Sequence, residues 1–466
     1  MRKFYWYFTA YVKKHGVIFV FSLLAAITFF SFVLPTLATT LEKGDRFYIG
    51  IIGDYSINAL PDIIADQLSI GLTSVTEDGS VIPTLAERWT IEQEGKAYRF
   101  VLKNNLLWQD GTPIKPEDIQ YNLSDTNVAY TANDVVFQLP DNFAPFPSLV
   151  SKPLFKTEYQ KKWGSAKKPM LIGIGKYKLL DYTTKGNRLV EVIVDSSTAR
   201  YIYRFYRTEN DAILAFKGGE VDLLLDLVKQ HDIYEWPQVK TTPTTSTNKY
   251  LAVFFNTRDP LFSKNVRQAF SYAITKPTGI ERAISPIDSN SWAYLPGGKS
   301  YDKDWERGIE RLIDEPPQQP LEFELTTTPV FEDKAEKIKT ELEAFGEAAA
   351  ENCASNKNID DKILCDYMKA KVKIKISNFP DTTDFQMLLI AQESPSDPDQ
   401  YYLWHSDQST NFTGYKNTRI DNLLEKGRKT FNQAERKEIY QEFQQFLLED
   451  PPAIFLEHLT TYQVSR

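Results

Sequence analysis

The chain has 466 residues, room for roughly three domains at about 150 residues each, and is long enough to bury a sizeable core without disulfides or metals. Two cysteines exclude a disulfide scaffold and any multi-thiolate zinc or iron–sulfur site. A formal charge of −8 argues against a general nucleic-acid binder, and an aromatic content of 13% argues against a disordered chain.

No charged residue lies between Lys14 and Glu42. The apolar run Val17–Leu34 would be about 27 Å long as a helix, close to the thickness of a bilayer's hydrocarbon core. Arg2, Lys3, Lys13 and Lys14 precede it, which places the N-terminus in the cytoplasm and the rest outside. The run is longer than the core of a typical signal peptide, and the candidate cleavage site Thr36-Leu37-Ala38 is weak. Residues 1–40 are therefore expected to form a cytoplasmic N-terminus and an uncleaved membrane anchor; if they are cleaved, the product is secreted. Removing them subtracts four cations and no anions, so the exported part carries −12. Cys353 and Cys365 would then face an oxidising compartment, either as a local disulfide or as two buried thiols.

Past the anchor the pattern predicts a strand over Phe47–Ile52, a helix over Ile63–Leu72, a turn at Thr76–Gly79 and a strand over Tyr98–Leu102. Trp108–Pro113 has turn chemistry. From about Leu171 strands alternate with helices. Strands are expected at Leu189–Val194, Val221–Leu225, Leu251–Phe255, Leu321–Leu325, Lys371–Ile376 and Gln386–Ile390. Helices are expected at Glu209–Phe216, Phe262–Ile274, Glu332–Phe345 and Gln433–Leu448. Such alternation implies α/β lobes with mostly parallel sheets. The polar stretch Thr241–Asn248 reads as a loop marking a boundary.

Several passages, in order, resemble the extracellular solute-binding proteins of family 5, receptors of oligopeptide, dipeptide and nickel ABC importers. They are Gly71-Leu72, Asp78-Gly79 and Pro83-Thr84-Leu85-Ala86-Glu87-Arg88-Trp89, then Trp108-Gln109-Asp110-Gly111-Thr112-Pro113. Gly173-Ile174-Gly175-Lys176-Tyr177 follows, with Lys176 where the family usually has Pro. Ala215–Asp222, Phe255-Asn256-Thr257, Val266–Ala269 and Asp397-Pro398-Asp399 with Trp404-His405-Ser406 complete the match over about residues 47–458.

The resemblance implies an α/β, two-lobed periplasmic binding protein type II fold with an inserted smaller α+β domain, here preceded by one N-terminal transmembrane helix. Lobe I is expected at 41–63 and 172–247, the insert at 64–171 and lobe II at 248–466. Relatives continue beyond the position of Arg466, so a C-terminal segment of lobe I is expected to be missing, leaving a sheet edge unpaired. The implied partners are a short peptide or similar small polar solute and the permease subunits of the transporter. A monomer is expected, with no cofactor, no metal and no covalent chemistry.

Several relatives hold a peptide's amino terminus with an Asp three residues before the Asp-Pro-Asp element. Here Ser394 stands at that position and Glu393 precedes it, so Glu393 is the candidate anion. By the same resemblance Asn58, Leu60, Asn256, Trp292 and Trp404 are candidate ligand contacts, whereas Trp89 and Trp108 are expected in the core of the insert. An anchored surface or sensory protein that keeps the fold without transport is the alternative. A surface hydrolase is a weaker one, because no HExxH, GxSxG or Walker A motif is present.

Overall fold

The computed structural model describes residues 2–29, 45–160, 168–356 and 362–466. Helix α1 (Arg2–Thr28) bends at His15, where φ and ψ (−126° and 24°) leave the helical region. Among the described residues no helix is long and apolar enough to cross a membrane. The apolar run Val17–Leu34 continues into residues outside those described, so the single-helix anchor gains no support from the described part of α1.

Strand β1 (Asp45–Ile52) leads into α2 (Asp62–Leu68), four residues shorter at its C-terminal end than expected because Ser69 is already extended. The next segment forms a separate antiparallel unit. It holds the hairpin β2 (Thr73–Val75) and β3 (Val81–Pro83), then β4 (Ala86–Glu92), β5 (Ala97–Leu102), β6 (Asn127–Tyr130) and β7 (Asp134–Gln138) in the order β4-β5-β7-β6. Tyr98, Phe100, Phe137, Trp108 and Phe146 of the short helix α3 (Phe146–Leu149) fill its core, with Trp89 packed at the margin. A second hairpin, β8 (Lys156–Gln160) with β9 (Lys168–Ile172), returns the chain to the first lobe.

There β10 (Lys178–Lys185), β11 (Arg188–Asp195) and β12 (Ala199–Tyr206) form a meander beside β1. Helix α4 (Glu209–Lys217), capped by the Thr208 hydroxyl on the Asp211 N–H at 3.1 Å, precedes β13 (Leu223–Leu227). The chain then crosses on β14 (Lys240–Phe255). Lobe II adds α5 (Lys264–Ala273), α6 (Trp305–Asp314), β15 (Glu322–Thr327), α7 (Glu332–Ser355), α8 (Lys362–Tyr367), β16 (Lys371–Ile376) and β17 (Met387–Glu393). After α9 (Tyr401–Trp404), α10 (Thr418–Lys429) and α11 (Gln433–Glu449), β18 (Ala453–Ser465) crosses back.

The result is a ten-stranded sheet in the order β10-β11-β12-β1-β13-β18-β14-β17-β15-β16, which runs through both lobes. Residue alternation builds its two faces. Leu251, Val253 and Phe255 of β14 face α5 and α7, whereas Tyr250, Ala252 and Phe254 face α10 and α11. Each of these side chains is buried, an arrangement worth roughly 1.5–3 kcal/mol for a large apolar residue.

Three expectations are corrected. The sheet is not mostly parallel: parallel pairs are confined to β12-β1-β13 and β17-β15-β16. The meander strands are joined by short turns, which leave no room for crossover helices. Thr241–Asn248 is not a loop but part of β14, with Thr241–Ser246 paired to Leu459–Val464 of β18. Its polar residues suit a ribbon lying between lobes with partial exposure on both faces. The edge expected to be unpaired is occupied, because Leu223, Leu224 and Leu227 pair with Ser465, Val464 and Tyr462.

Candidate functional site

Between the insert and lobe II lies a cavity of about 910 Å³. Asp62 and Asp66 of α2 with Ser69, Thr73 and Ser74 line one wall, and Glu393, Ser396, Asp397, Asp399 and Gln400 with Thr410 and Phe412 line the other. The glycine pair of the G-x-G-x-Y segment positions the first wall. A Cβ on Gly173 would fall 2.0 Å from the Leu68 carbonyl oxygen, and one on Gly175 2.4 Å from that of Gln67. Two bare backbones thus press onto the last turn of α2, and the Gln109 amide donates to the carbonyls of Leu68 and Gly175 at 3.0 and 2.9 Å. These glycines are docking residues and cradle no phosphate.

The Asp-Pro-Asp element shapes the other wall. Arg436 of α11 grips Asp397 with two parallel bonds, Nη2 to Oδ1 at 2.7 Å and Nη1 to Oδ2 at 3.0 Å. Arg428 of α10 donates to Asp399 at 3.0 Å and lies over the rings of Phe143, Tyr401 and Tyr402. Both carboxylates are therefore neutralised from behind, and the loop between them is pinned to the helices of lobe II. Asp62 and Asp66 lack such partners among the described residues. Burial, and then the negative charge of Asp62, raise the Asp66 carboxyl above its ordinary range.

The insert and lobe II touch at two places beside the cavity. Trp292 of lobe II donates its backbone N–H to the Asp78 carbonyl at 2.9 Å and its indole N–H to the Gly79 carbonyl at 3.2 Å. Gly79 has φ +81° and a Cβ there would sit 2.9 Å from the Ser396 oxygen, so only glycine fits this turn without displacing the contact. At the second place the Ala144 N–H donates to the Arg428 carbonyl at 2.7 Å. The insert and lobe II thus meet on either side of the cavity.

Of the seven side chains expected at the ligand, Glu393 alone lines this cavity. Its carboxylate accepts from Asn248 at 3.4 Å. Ser394 is buried and donates to the Pro286 carbonyl at 2.7 Å. Trp404, expected in the cleft, is wholly buried between Phe254 and Phe455, a core residue of lobe II. Asn256 is engaged by the Phe385 carbonyl at 3.0 Å, and Trp292 clamps the lobes beside the cavity. Asn58 is exposed and Leu60 packs against the lobe I core. Sequence reasoning missed Asp62, Asp66 and Gln400. The i,i+4 spacing of the two aspartates, one helical turn apart, was the available signal.

Cys353 at the end of α7 and Cys365 in α8 are joined as a disulfide, with Cα atoms 5.4 Å apart, in the lobe II core away from the cavity.

A two-lobed α/β body with an inserted unit and a cavity of this size is the architecture of a solute-binding protein. The chain belongs to the bacterial extracellular solute-binding proteins, family 5, whose middle region matches residues 80–315. It is 21% identical over 451 residues to the dipeptide-binding protein DppE of Bacillus subtilis, covering 82% of this chain and 80% of that protein. Its fold is similar to that of NikZ from Campylobacter jejuni in complex with Ni(L-His), with a TM-score of 0.69, 22% identity and coverage of 91% and 94% of the two chains. It is also similar to the oligopeptide-binding protein AppA from Bacillus subtilis in complex with a nonapeptide, with a TM-score of 0.65, 17% identity and coverage of 91% and 95%.

Proposed function

We propose that this chain is the extracytoplasmic receptor of an ABC importer, capturing short peptides or a similar small polar solute by hinge closure, with the N-terminal segment holding it at the cell membrane. In this reading lobe I comprises 41–63 and 172–247 together with the end of β18, the insert 64–171, and lobe II the remainder. The observation that carries it is the 910 Å³ cavity between the insert and lobe II, reached by Asp62 of lobe I and flanked by direct contacts between insert and lobe II. Among the described residues two strands, β14 and β18, connect the lobes across the centre of the sheet. Their ladder is interrupted between Ser246 and Tyr250, leaving Thr247, Asn248 and Lys249 as a bulge where the chain passes from one lobe to the other. A solute that touches both walls binds the closed form better and draws the population towards it. Delivery of the solute to permease subunits follows from the same opening, and a binding protein of this kind performs no covalent chemistry on its cargo.

The test is a thermal-shift and tryptophan-fluorescence screen of the purified full-length chain against short peptides, free amino acids and nickel–histidine chelates. Stabilisation with a fluorescence change by one class supports the reading and names the cargo. No response to any class from a folded sample overturns it.

A further inference from the structure

Independently of the cargo, we infer that lobe II holds one small inorganic anion, a halide such as chloride, in the void between the loop that joins α5 to α6 and the root of β18. Lys276, Arg282 and Lys299 line this void with Ser300, Tyr301 and Phe455, and among the described residues no carboxylate lines it. It shares no residue with the solute cavity.

The three cations have neutral partners. The Lys276 ammonium donates to the carbonyls of Ile274 at 3.0 Å, Tyr301 at 2.6 Å and Ser271. The Arg282 Nη1 donates to the carbonyls of Phe455 and Leu456 at 2.7 and 3.0 Å, and its Nη2 donates to that of Ser300. Lys299 is exposed and lies 4.3 Å from the centre of the Tyr301 ring. The nearby carboxylates are engaged elsewhere: Asp450 by Arg267 at 2.5 Å, Glu341 by Lys303 at 3.3 Å, and Asp302 by the Ser300 hydroxyl at 2.8 Å. Burial, and then the charge of Arg282, push the Lys276 ammonium down to about 7. Burial likewise pushes the Arg282 guanidinium down to about 10, and the longer-range pull of Asp302 offsets neither. Positive charge is gathered around the void without a counter-charge.

Two further observations define the anion. The Arg282 Nε is sealed from solvent and has no hydrogen-bond partner. A buried N–H without an acceptor is destabilising, the more so on a charged group. The void measures about 10 Å³, the least that admits a water-sized particle. A carboxylate, phosphate or sulfate does not fit, and water brings no charge. A single-atom anion supplies both acceptor and charge. Bound there, it fastens the α5–α6 loop to the crossing strand, beside the bridge between Arg282 and Glu457.

Crystals of the full-length chain grown without chloride and soaked in sodium bromide test this directly. An anomalous bromide peak is expected in the void beside Arg282, and a peak-free void at saturating bromide overturns the site. In solution, thermal unfolding is followed while sodium chloride replaces sodium sulfate at constant ionic strength and pH. Chloride is expected to raise the wild-type midpoint by a few degrees along a saturating curve. Lys299→Met, which removes an exposed cation that contacts only rings, is expected to weaken chloride severalfold and shift that curve to higher concentration. General salt effects act on both proteins alike, so identical chloride dependence in wild type and Lys299→Met also overturns the site. Neither result touches the solute-binding reading, whose own screen decides it.

Discussion

Arg436 and Asp397 form a buried, two-pronged ion pair that fastens the cavity loop to α11. The Arg436 side chain also donates to the Gly427 carbonyl at 3.0 Å and lies over the rings of Trp292 and Tyr440. Removing one partner would leave the other charge buried with its bonds unmade, which costs about 3–5 kcal/mol, whereas an apolar pair of similar volume is close to neutral. Arg436→Met is therefore expected to lower the unfolding free energy obtained from urea titration by that amount. The double variant Arg436→Met with Asp397→Leu is expected to recover most of it. Equal losses in the single and double variants would contradict the ion-pair account.

The contact between Trp292 and the Asp78-Gly79 turn joins lobe II to the insert through two hydrogen bonds. Trp292→Phe keeps a ring beside Arg436 and removes the indole N–H that reaches Gly79. A hydrogen bond of this kind contributes about 0.5–1.5 kcal/mol net, here to the closed form only. Ligand affinity should fall by up to about tenfold with little change in the unfolding midpoint of the unliganded protein. A large loss of stability without a change in affinity would show that Trp292 supports folding rather than closure.

Local patterns in the chain disclose the elements that a single face of packing decides. The apolar run Leu251–Phe255, the helical repeat of Ile439, Phe443 and Leu447, and the Ser263 and Asn432 caps are readable because their causes lie within a few residues. Thr241–Asn248 is not readable as strand, since its partner Leu459–Val464 lies more than two hundred positions away and supplies the pairing that its own composition lacks. Trp404 shows the same limit at the site. Its type suits a cleft, and it is Phe254 and Phe455, brought in from two strands, that enclose it in a core. Asp62 and Asp66 become meaningful only when the insert and lobe II wall off the space before them.

The disulfide between Cys353 and Cys365 closes a short loop between α7 and α8. With a separation of 12 residues, loop-closure reasoning assigns it roughly 2–3 kcal/mol, mostly by restricting the unfolded chain. Reduction, or Cys353→Ala with Cys365→Ala, should lower the melting temperature by several degrees. Both sulfurs sit in the lobe II core, away from the cavity, so the affinity for ligand should be unchanged below the new midpoint. Loss of affinity in the folded, reduced protein would place the bridge in the binding mechanism.

His458 lies in β18 at the bulge where the paired crossing strands pass between lobes, opposite Tyr250. Burial pushes its imidazole below the ordinary value of 6.5, against the opposing pull of the Asp288 carboxylate, and its Nδ1 has no partner. A depressed histidine is neutral in the folded protein while the unfolded chain still takes up a proton as the pH falls through 6.5. The unfolded state then binds more protons, so stability is fully present above 6.5 and declines below it. His458→Gln removes this proton uptake and keeps a polar side chain of similar reach. Urea midpoints measured at about pH 7 and about pH 5 should diverge more for wild type than for His458→Gln. Identical pH dependence in the two proteins would remove His458 from the account and leave acid sensitivity to the carboxylates.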